Sequence, residues 1–285
     1  MADPEPSLAE LRAEIDRIDA AMHGLLMERG EIISRLIAVK RTTEIGSAFR
    51  PAREAEMMRR LVARHRGILP LDTAESILRV IIATFTYIQA PFRVHADLSA
   101  GEAAMRDSAR FHFGFTVPFE AHLGAAGVIE ALSAAPGDLG LVPASVATAG
   151  AWWTALDRAN APKIIARLPF IERADHPAGL PVFAIARPHP EAVVRDGATV
   201  WSVRVSGWGM KPAQALALLA EAVVVPEGAF DGAALLVSLP AGRPIKEVTA
   251  ALVKAGASVR SQALVGSHAT RYTVSADGAL IPTAR

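Results

Sequence analysis

Residues 8–40 run LAELRAEIDRIDAAMHGLLMERGEIISRLIAVK, with apolar residues at Leu8, Leu11, Ile15, Ile18, Met22 and Leu25 and again at Ile32, Leu36 and Val39. That three-four alternation predicts one long amphipathic helix with the spacing of a coiled-coil seam. The beat between Leu25 and Ile32 falls on Arg29, so a permanently charged guanidinium stands where packing calls for a leucine. An unpaired charge buried in a seam is too costly to leave unanswered, and an anion of the protein or of a ligand must meet it.

Arg12 and Lys40 flank the same seam, four residues beyond Leu8 and Leu36. Eleven residues is close to three turns, so Arg29 and Lys40 share nearly one face at a separation of about 16 Å. Two long cationic side chains at that distance can hold a small anionic ligand between them. Arg12 lies about 42 Å from Lys40 along the rod, beyond the span of one small-molecule site. If Arg12 joins that site it must come from a second chain lying antiparallel, and the coiled-coil spacing predicts such a partner independently.

The 285 residues leave room for two or three domains, each with its own core. A net charge of +1 with 21% charged residues gives no global attraction for nucleic acid. The absence of cysteine excludes disulfides and thiolate chemistry and is compatible with a reducing cytoplasm. Asp3 and Glu5 stand where an export signal needs basic and then apolar residues, so a cytoplasmic location is expected. Leu139 to Leu156 is uncharged over about a bilayer span, yet Gly140, Pro143 and Gly150 make it a buried αβ segment rather than a membrane helix. The eight histidines lack metal-ligand spacing and no GxSxG elbow is present, so no metal site is expected.

After Lys40 the pattern dissolves until Pro51, which opens a second helix around Arg53–Arg66 with Met57, Met58, Leu61 and Val62 on one side. A third helix is predicted from Asp72, where Asp72 and Glu75 have capping-box spacing, through Ile77, Leu78, Ile81, Ile82, Phe85 and Ile88 to Gln89. Pro91 ends it. Gln89 falls four residues after Phe85, on the apolar stripe, where an amide needs a partner.

These three helices, with Arg12, Arg29, Lys40, Arg53–Glu54 and Gln89 at inward positions and the stretches LRAEIDRID, LLMERGEI, AVK, PAREAEM and TYIQ, resemble the all-helical chorismate mutases over residues 7–92. The resemblance implies an intertwined homodimer and a pericyclic rearrangement of chorismate to prephenate, without nucleophile, proton transfer, metal or cofactor. Catalysis of that kind comes from holding a dianion in its compact chair-like shape and stabilising charge on the breaking ether oxygen. By resemblance Arg29, with Arg12 from the partner chain, would bind the carboxylates through bidentate forks. Lys40 and Gln89 would donate to the ether oxygen, Glu54 would accept from the substrate hydroxyl, and Arg53 would support the anionic pocket. Two positions depart from the family pattern: Arg50 stands where an aspartate is usual, and Phe85 where a serine is usual. Each lost contact is worth about 1 kcal/mol, which implies retuned or weaker activity.

Each residue also has a plainer reading. Arg12 and Arg53 taken singly are ordinary solvated helix charges, and Arg29 could pair with a glutamate of another helix. Lys40 suits a helix C-terminus through the macrodipole alone. Gln89 could simply cap a neighbouring carbonyl.

The expected organisation is α+β and multidomain: a helical mutase domain at 7–95, a linker of small and charged residues at 96–109, an α/β region at 110–195 and a further α/β region with a small βαββ module at 196–285. Within it Phe111–Phe115 reads as a strand, Gly124–Leu132 as a helix, and Leu139–Val142, Ile164–Leu168 and Val182–Ala186 as strands. GDLGLVPAS and GLPVFAIAR faintly resemble prephenate dehydratases, but Pro181-Val182-Phe183 replaces the threonine-arginine-phenylalanine triplet, so no dehydratase site carries over. From Val200 the order is strand, helix, strand, strand, helix, strand, strand, and its second half resembles the small βαββ regulatory modules that bind amino acids. Three functions therefore stand: a dimeric chorismate mutase, a bifunctional mutase and dehydratase, and a non-catalytic small-molecule sensor with a helical dimerisation arm.

Overall fold

The computed structural model describes residues 6–40, 48–144, 150–188, 194, 197–228, 231–275 and 279–283. They divide into two units, Met1–Ile45 and Gly46–Arg285.

The first unit is one helix, α1 (Leu8–Lys40). Its start is fixed by a capping box. The Ser7 backbone N–H donates to Glu10 Oε2 at 2.7 Å, and the Glu10 N–H to Ser7 Oγ at 3.3 Å. At ~1.5 Å per residue the rod is about 50 Å long. The nine apolar seam residues from Leu8 to Val39 are 37–79% exposed.

The second unit opens with α2 (Pro51–Arg64), which has proline in its first turn, and α3 (Leu71–Gln89). There follow β1 (Val94–Asp97), α4 (Glu102–Phe113), β2 (Phe119–His122), α5 (Ala125–Ala134), β3 (Leu139–Pro143), β4 (Lys163–Leu168), β5 (Ile171–Glu172) and β6 (Val182–Ala186). The last part holds β7 (Ala198–Ser206), α6 (Met210–Ala217), β8 (Glu221–Glu227), β9 (Gly232–Leu239), α7 (Ile245–Lys254), β10 (Ser258–His268), β11 (Tyr272–Val274) and β12 (Leu280–Pro282). Among the described residues nine strands form one mixed sheet in the order β2-β1-β3-β6-β4-β10-β7-β9-β8, and β12-β11-β5 form a second, smaller sheet. No described helix is long and apolar enough to cross a membrane.

Helices α2 and α3 share a core with the sheet. Phe49, Met58, Leu61, Val62, Ile82 and Ala83 pack in one cluster with Leu139, Leu141, Ile165, Leu168 and Val182. On α3 the buried residues are Glu75, Arg79, Ile82, Ala83 and Thr86, spaced at three and four. The expected stripe is accordingly split: Ile82 is inside, while Ile77 and Ile88 are 53% and 52% exposed. The expected capping box at Asp72 and Glu75 is absent as well. Pro70 precedes the helix without a side-chain cap, and Glu75 is buried instead.

Two further expectations are corrected. The stretch 96–109 is no bare linker: it holds the end of β1, a short 3₁₀ turn and most of α4, because β1 is paired on both sides and its small residues fit a buried strand. Phe111–Phe115 is not a strand. Met105, Ala109 and Phe113 are buried at helical spacing in α4, and the FHF alternation is incidental to that period. The helix stops at Gly114, whose φ of +66° an L side chain rarely adopts.

The other strands fall close to their expected places, but the last stretch is not a separate module. Strand β10 meets β4 in parallel at Gly266 and Ile164, which joins both halves into one sheet. A Cβ at Gly266 would lie 2.1 Å from the Ile164 carbonyl oxygen, so only glycine permits this approach. Trp153 is fully buried in the core where the halves meet, with Ile164, Phe183, Val200, Leu236 and Val265.

Candidate active site

The residues expected on α1 are described on that helix alone. Arg12 is exposed and Arg29 half-buried within the seam. Lys40 is the last residue of the helix, and its side chain lies outside the described residues. Ser145-Val146-Ala147, which follow the strand-ending proline, also lie outside them.

In the second unit Arg50 precedes α2, half-buried, and donates from Nη1 to the Phe49 carbonyl at 3.3 Å. Arg53 is exposed on the first turn of α2. Its neighbour Glu54, about 100° round the helix, turns inward and is 4% exposed. The Glu54 carboxylate accepts from Arg79 Nη1 at 2.5 Å, so it is committed to a protein cation rather than presented to a ligand. Phe85 and Gln89 are half-buried towards the end of α3. Gln89 Nε2 donates to the Phe85 carbonyl at 2.9 Å, the plainer of its two expected roles, and keeps a second N–H and its carbonyl oxygen.

A buried polar cluster that sequence reading missed lies beneath α2 and α3. Arg79 is completely buried. Besides Glu54 it binds the His112 carbonyl through Nη2 at 3.0 Å, and its guanidinium lies 5.4 Å from the Phe170 ring centre. Glu75, 1% exposed, accepts from Arg173 Nη1 at 2.8 Å. His176 receives the Ala178 backbone N–H on Nδ1 at 3.0 Å, which leaves its proton on Nε2, 3.6 Å from the same Glu75 oxygen. His112 is pushed well below the usual histidine range, first by burial and then by the positive charge of Arg79 and the proximity of His176. The one signal in the sequence was that Glu75 and Arg79 fall in phase with Ile82 and Thr86, four and three residues apart.

A second polar chain occupies the edge of the large sheet. Asp138 Oδ2 accepts from His95 Nε2 at 3.0 Å, and the lone pair this leaves on His95 Nδ1 accepts from His122 Nε2 at 3.0 Å. Burial, followed by the neighbouring His95, lowers the His122 pKa, while Glu120 and Asp97 oppose the shift.

Two cavities of the second unit have none of the expected site residues among the residues that line them. One, of about 270 Å³, is lined by Ser238, His268, Thr270, Arg271 and Thr283 with Ala198, Pro240 and Pro282 among its apolar walls. The other, about 530 Å³ and open, lies between the α2–α3 corner and the β11–β12 hairpin.

No curated protein matches the chain. Two solved structures align with it at low identity. One is described as GqqA, a novel type of quorum quenching acylase: 12% identical, TM-score 0.42, covering 62% of this chain and 94% of that chain. The other is prephenate dehydratase from Streptococcus mutans: 11% identical, TM-score 0.36, covering 62% of this chain and 98% of that chain. Neither likeness is close enough to carry an inference about activity. Over residues 11–90, from the first turn of α1 to the residue after α3, the sequence matches the family model described as chorismate mutase type II.

Proposed function

We propose that this chain is a chorismate mutase that acts as a homodimer in the aromatic amino acid pathway of the cytoplasm. The observation that carries the reading is the match over residues 11–90, which spans every position where the cationic and amide groups of the expected site fall. Arg29 and the partner chain's Arg12 bind the two carboxylates of chorismate, which holds the substrate in its compact reactive shape. Lys40 and the free N–H of Gln89 donate to the ether oxygen, where charge grows as the C–O bond breaks. Gln89 does so at any ordinary pH because its amide does not titrate. Arg53, solvated at the start of α2, adds positive potential, and Arg50 and Phe85 retune the pocket. Glu54 is left to Arg79 and takes no part in the chemistry.

Support for the second copy comes from the α1 seam, whose nine apolar residues have coiled-coil spacing and are exposed. The Arg12 to Lys40 distance of about 42 Å points the same way. The test is the rate of chorismate loss by the purified full-length chain together with its mass in sedimentation. Turnover by a dimer supports the reading. A dimer without turnover favours the sensor, and onward conversion of prephenate to phenylpyruvate favours the bifunctional enzyme.

A further inference from the structure

Helix α3 has two working faces. Its inner face, Glu75, Arg79, Ile82, Ala83 and Thr86, is built into the αβ part of the second unit, while Ile77 and Ile88 face outward, with Phe85 and Gln89 on the shoulder between. From this arrangement we propose that Arg173, acting through Glu75, is a positioning residue for the mutase site, so that the αβ region sets the working orientation of α3. The proposal rests on the mutase reading above.

The geometry carries it as follows. Glu75 lies in the first third of α3 and is joined to a segment 98 residues further along the chain by the Arg173 Nη1 bond of 2.8 Å. Arg173 is itself nearly buried, with 11% of its side chain exposed, and follows directly on β5. The same short segment places His176 Nε2 3.6 Å from Glu75, near it but outside hydrogen-bond range, with Nδ1 held by the Ala178 N–H. One helical turn later Arg79 ties the middle of α3 to Glu54 of α2 and to the His112 carbonyl of α4. The hydrophobic effect is non-directional, whereas two buried ion pairs one turn apart add directional bonds that hold the helix at one angle about its own axis.

Removing the cation at 173 leaves a buried carboxylate without its counter-charge, which must turn towards water or take up a proton. A turn of about 20° carries an amide ~6 Å from the helix axis through about 2 Å. Misplacement of a catalytic donor by about 1 Å is enough to lower turnover as much as a hundredfold. Gln89 lies fourteen residues, close to four turns, from Glu75 on the same rigid helix and therefore shares the rotation.

The experiment uses the full chain, well below its melting temperature. Arg173→Met is compared with the wild type for kcat and KM on chorismate and for amide hydrogen exchange along α3. The expected result is a fall in kcat of tenfold or more with KM within about threefold, together with exchange at least tenfold faster at the α3 amides. The charge-exchanged double variant, Glu75→Arg with Arg173→Glu, returns kcat to within a few fold of wild type. Wild-type kcat and wild-type exchange in a folded Arg173→Met protein overturn the proposal, as does a loss that the charge-exchanged pair leaves unrepaired. Should Arg173→Met fail to fold, Glu75→Gln removes the charge at constant shape and carries the same comparison. If the wild-type chain does not consume chorismate, the mutase reading fails on its own, and the exchange rates alone then decide whether Arg173 holds α3.

Discussion

Arg29 is the residue on which the proposed chemistry depends most. It sits half-buried in a seam otherwise made of leucine, isoleucine, methionine and valine. Replacing it with alanine removes a charged donor from the substrate carboxylate, and the expected outcome is a loss of turnover of about a hundredfold or more, checked by chorismate consumption at saturating substrate. At the same scale His268 makes a prediction about acid. It is 2% exposed, its Nδ1 donates to the Ala269 carbonyl at 2.9 Å, and its pKa is lowered to about 4, chiefly by burial, with Arg271 and Arg167 adding to the shift. The folded state therefore favours the neutral ring. Its contribution is complete above the unfolded value near 6.5, is lost progressively as pH falls, and is exhausted below about 4, a span worth roughly 3 kcal/mol. Urea melts of His268→Gln between pH 7 and 4.5 should show a shallower loss of stability than the wild type. An equal slope in the two proteins would show that His268 does not titrate as its burial requires.

At the scale of elements, α1 was legible from its three-four period, whereas the Ser7–Glu10 capping box that fixes its start was a signal the sequence reading did not use. The period of α3 was legible too, but not which face goes inside. Ile77, Ile82 and Ile88 are equally apolar as letters, and the choice is made by Glu75 and Arg79, which find Arg173 and Glu54 only when the chain is folded. In α4 the FHF triplet has the alternation of a strand, and only the burial of Ala109 and Met105, one and two turns before Phe113, assigns it to a helix. The prediction at this scale concerns α1. Chains carrying Arg12→Ala, mixed with chains carrying Lys40→Ala and allowed to exchange subunits, should regain about a quarter to a half of the wild-type site activity, because heterodimers then hold one intact site. No regain after exchange is demonstrated by mass would exclude a site shared between copies. Ile18→Glu should in addition shift the sedimenting mass towards the monomer, since it places a charge in the middle of the seam.

For the whole molecule, the expected division into a helical domain, a linker and two αβ regions meets a second unit in which α2 and α3 share a core with the first αβ region. Met58, Leu61, Val62 and Ile82 of α2 and α3 are buried with residues of β3, β4 and β6. A fragment ending at residue 95 would bare that face and strip Glu75 of Arg173. Such a fragment should be poorly folded, with weak amide dispersion and no cooperative melt, although its sequence alone matches a family model. A cooperative melt of the fragment would show that α2 and α3 do not need the sheet.

The sequence by itself determined that α1 is a long rod with a charge in its seam and that three helices precede an alternating αβ region. These follow from local period and residue type, which act over one or two turns. Only the tertiary structure decided that Glu54 belongs to Arg79 and Glu75 to Arg173, and that the two αβ regions join in one sheet through Gly266. Partners 25 and 98 residues apart are chosen by which buried charge can reach which, and no local pattern of letters carries that distance.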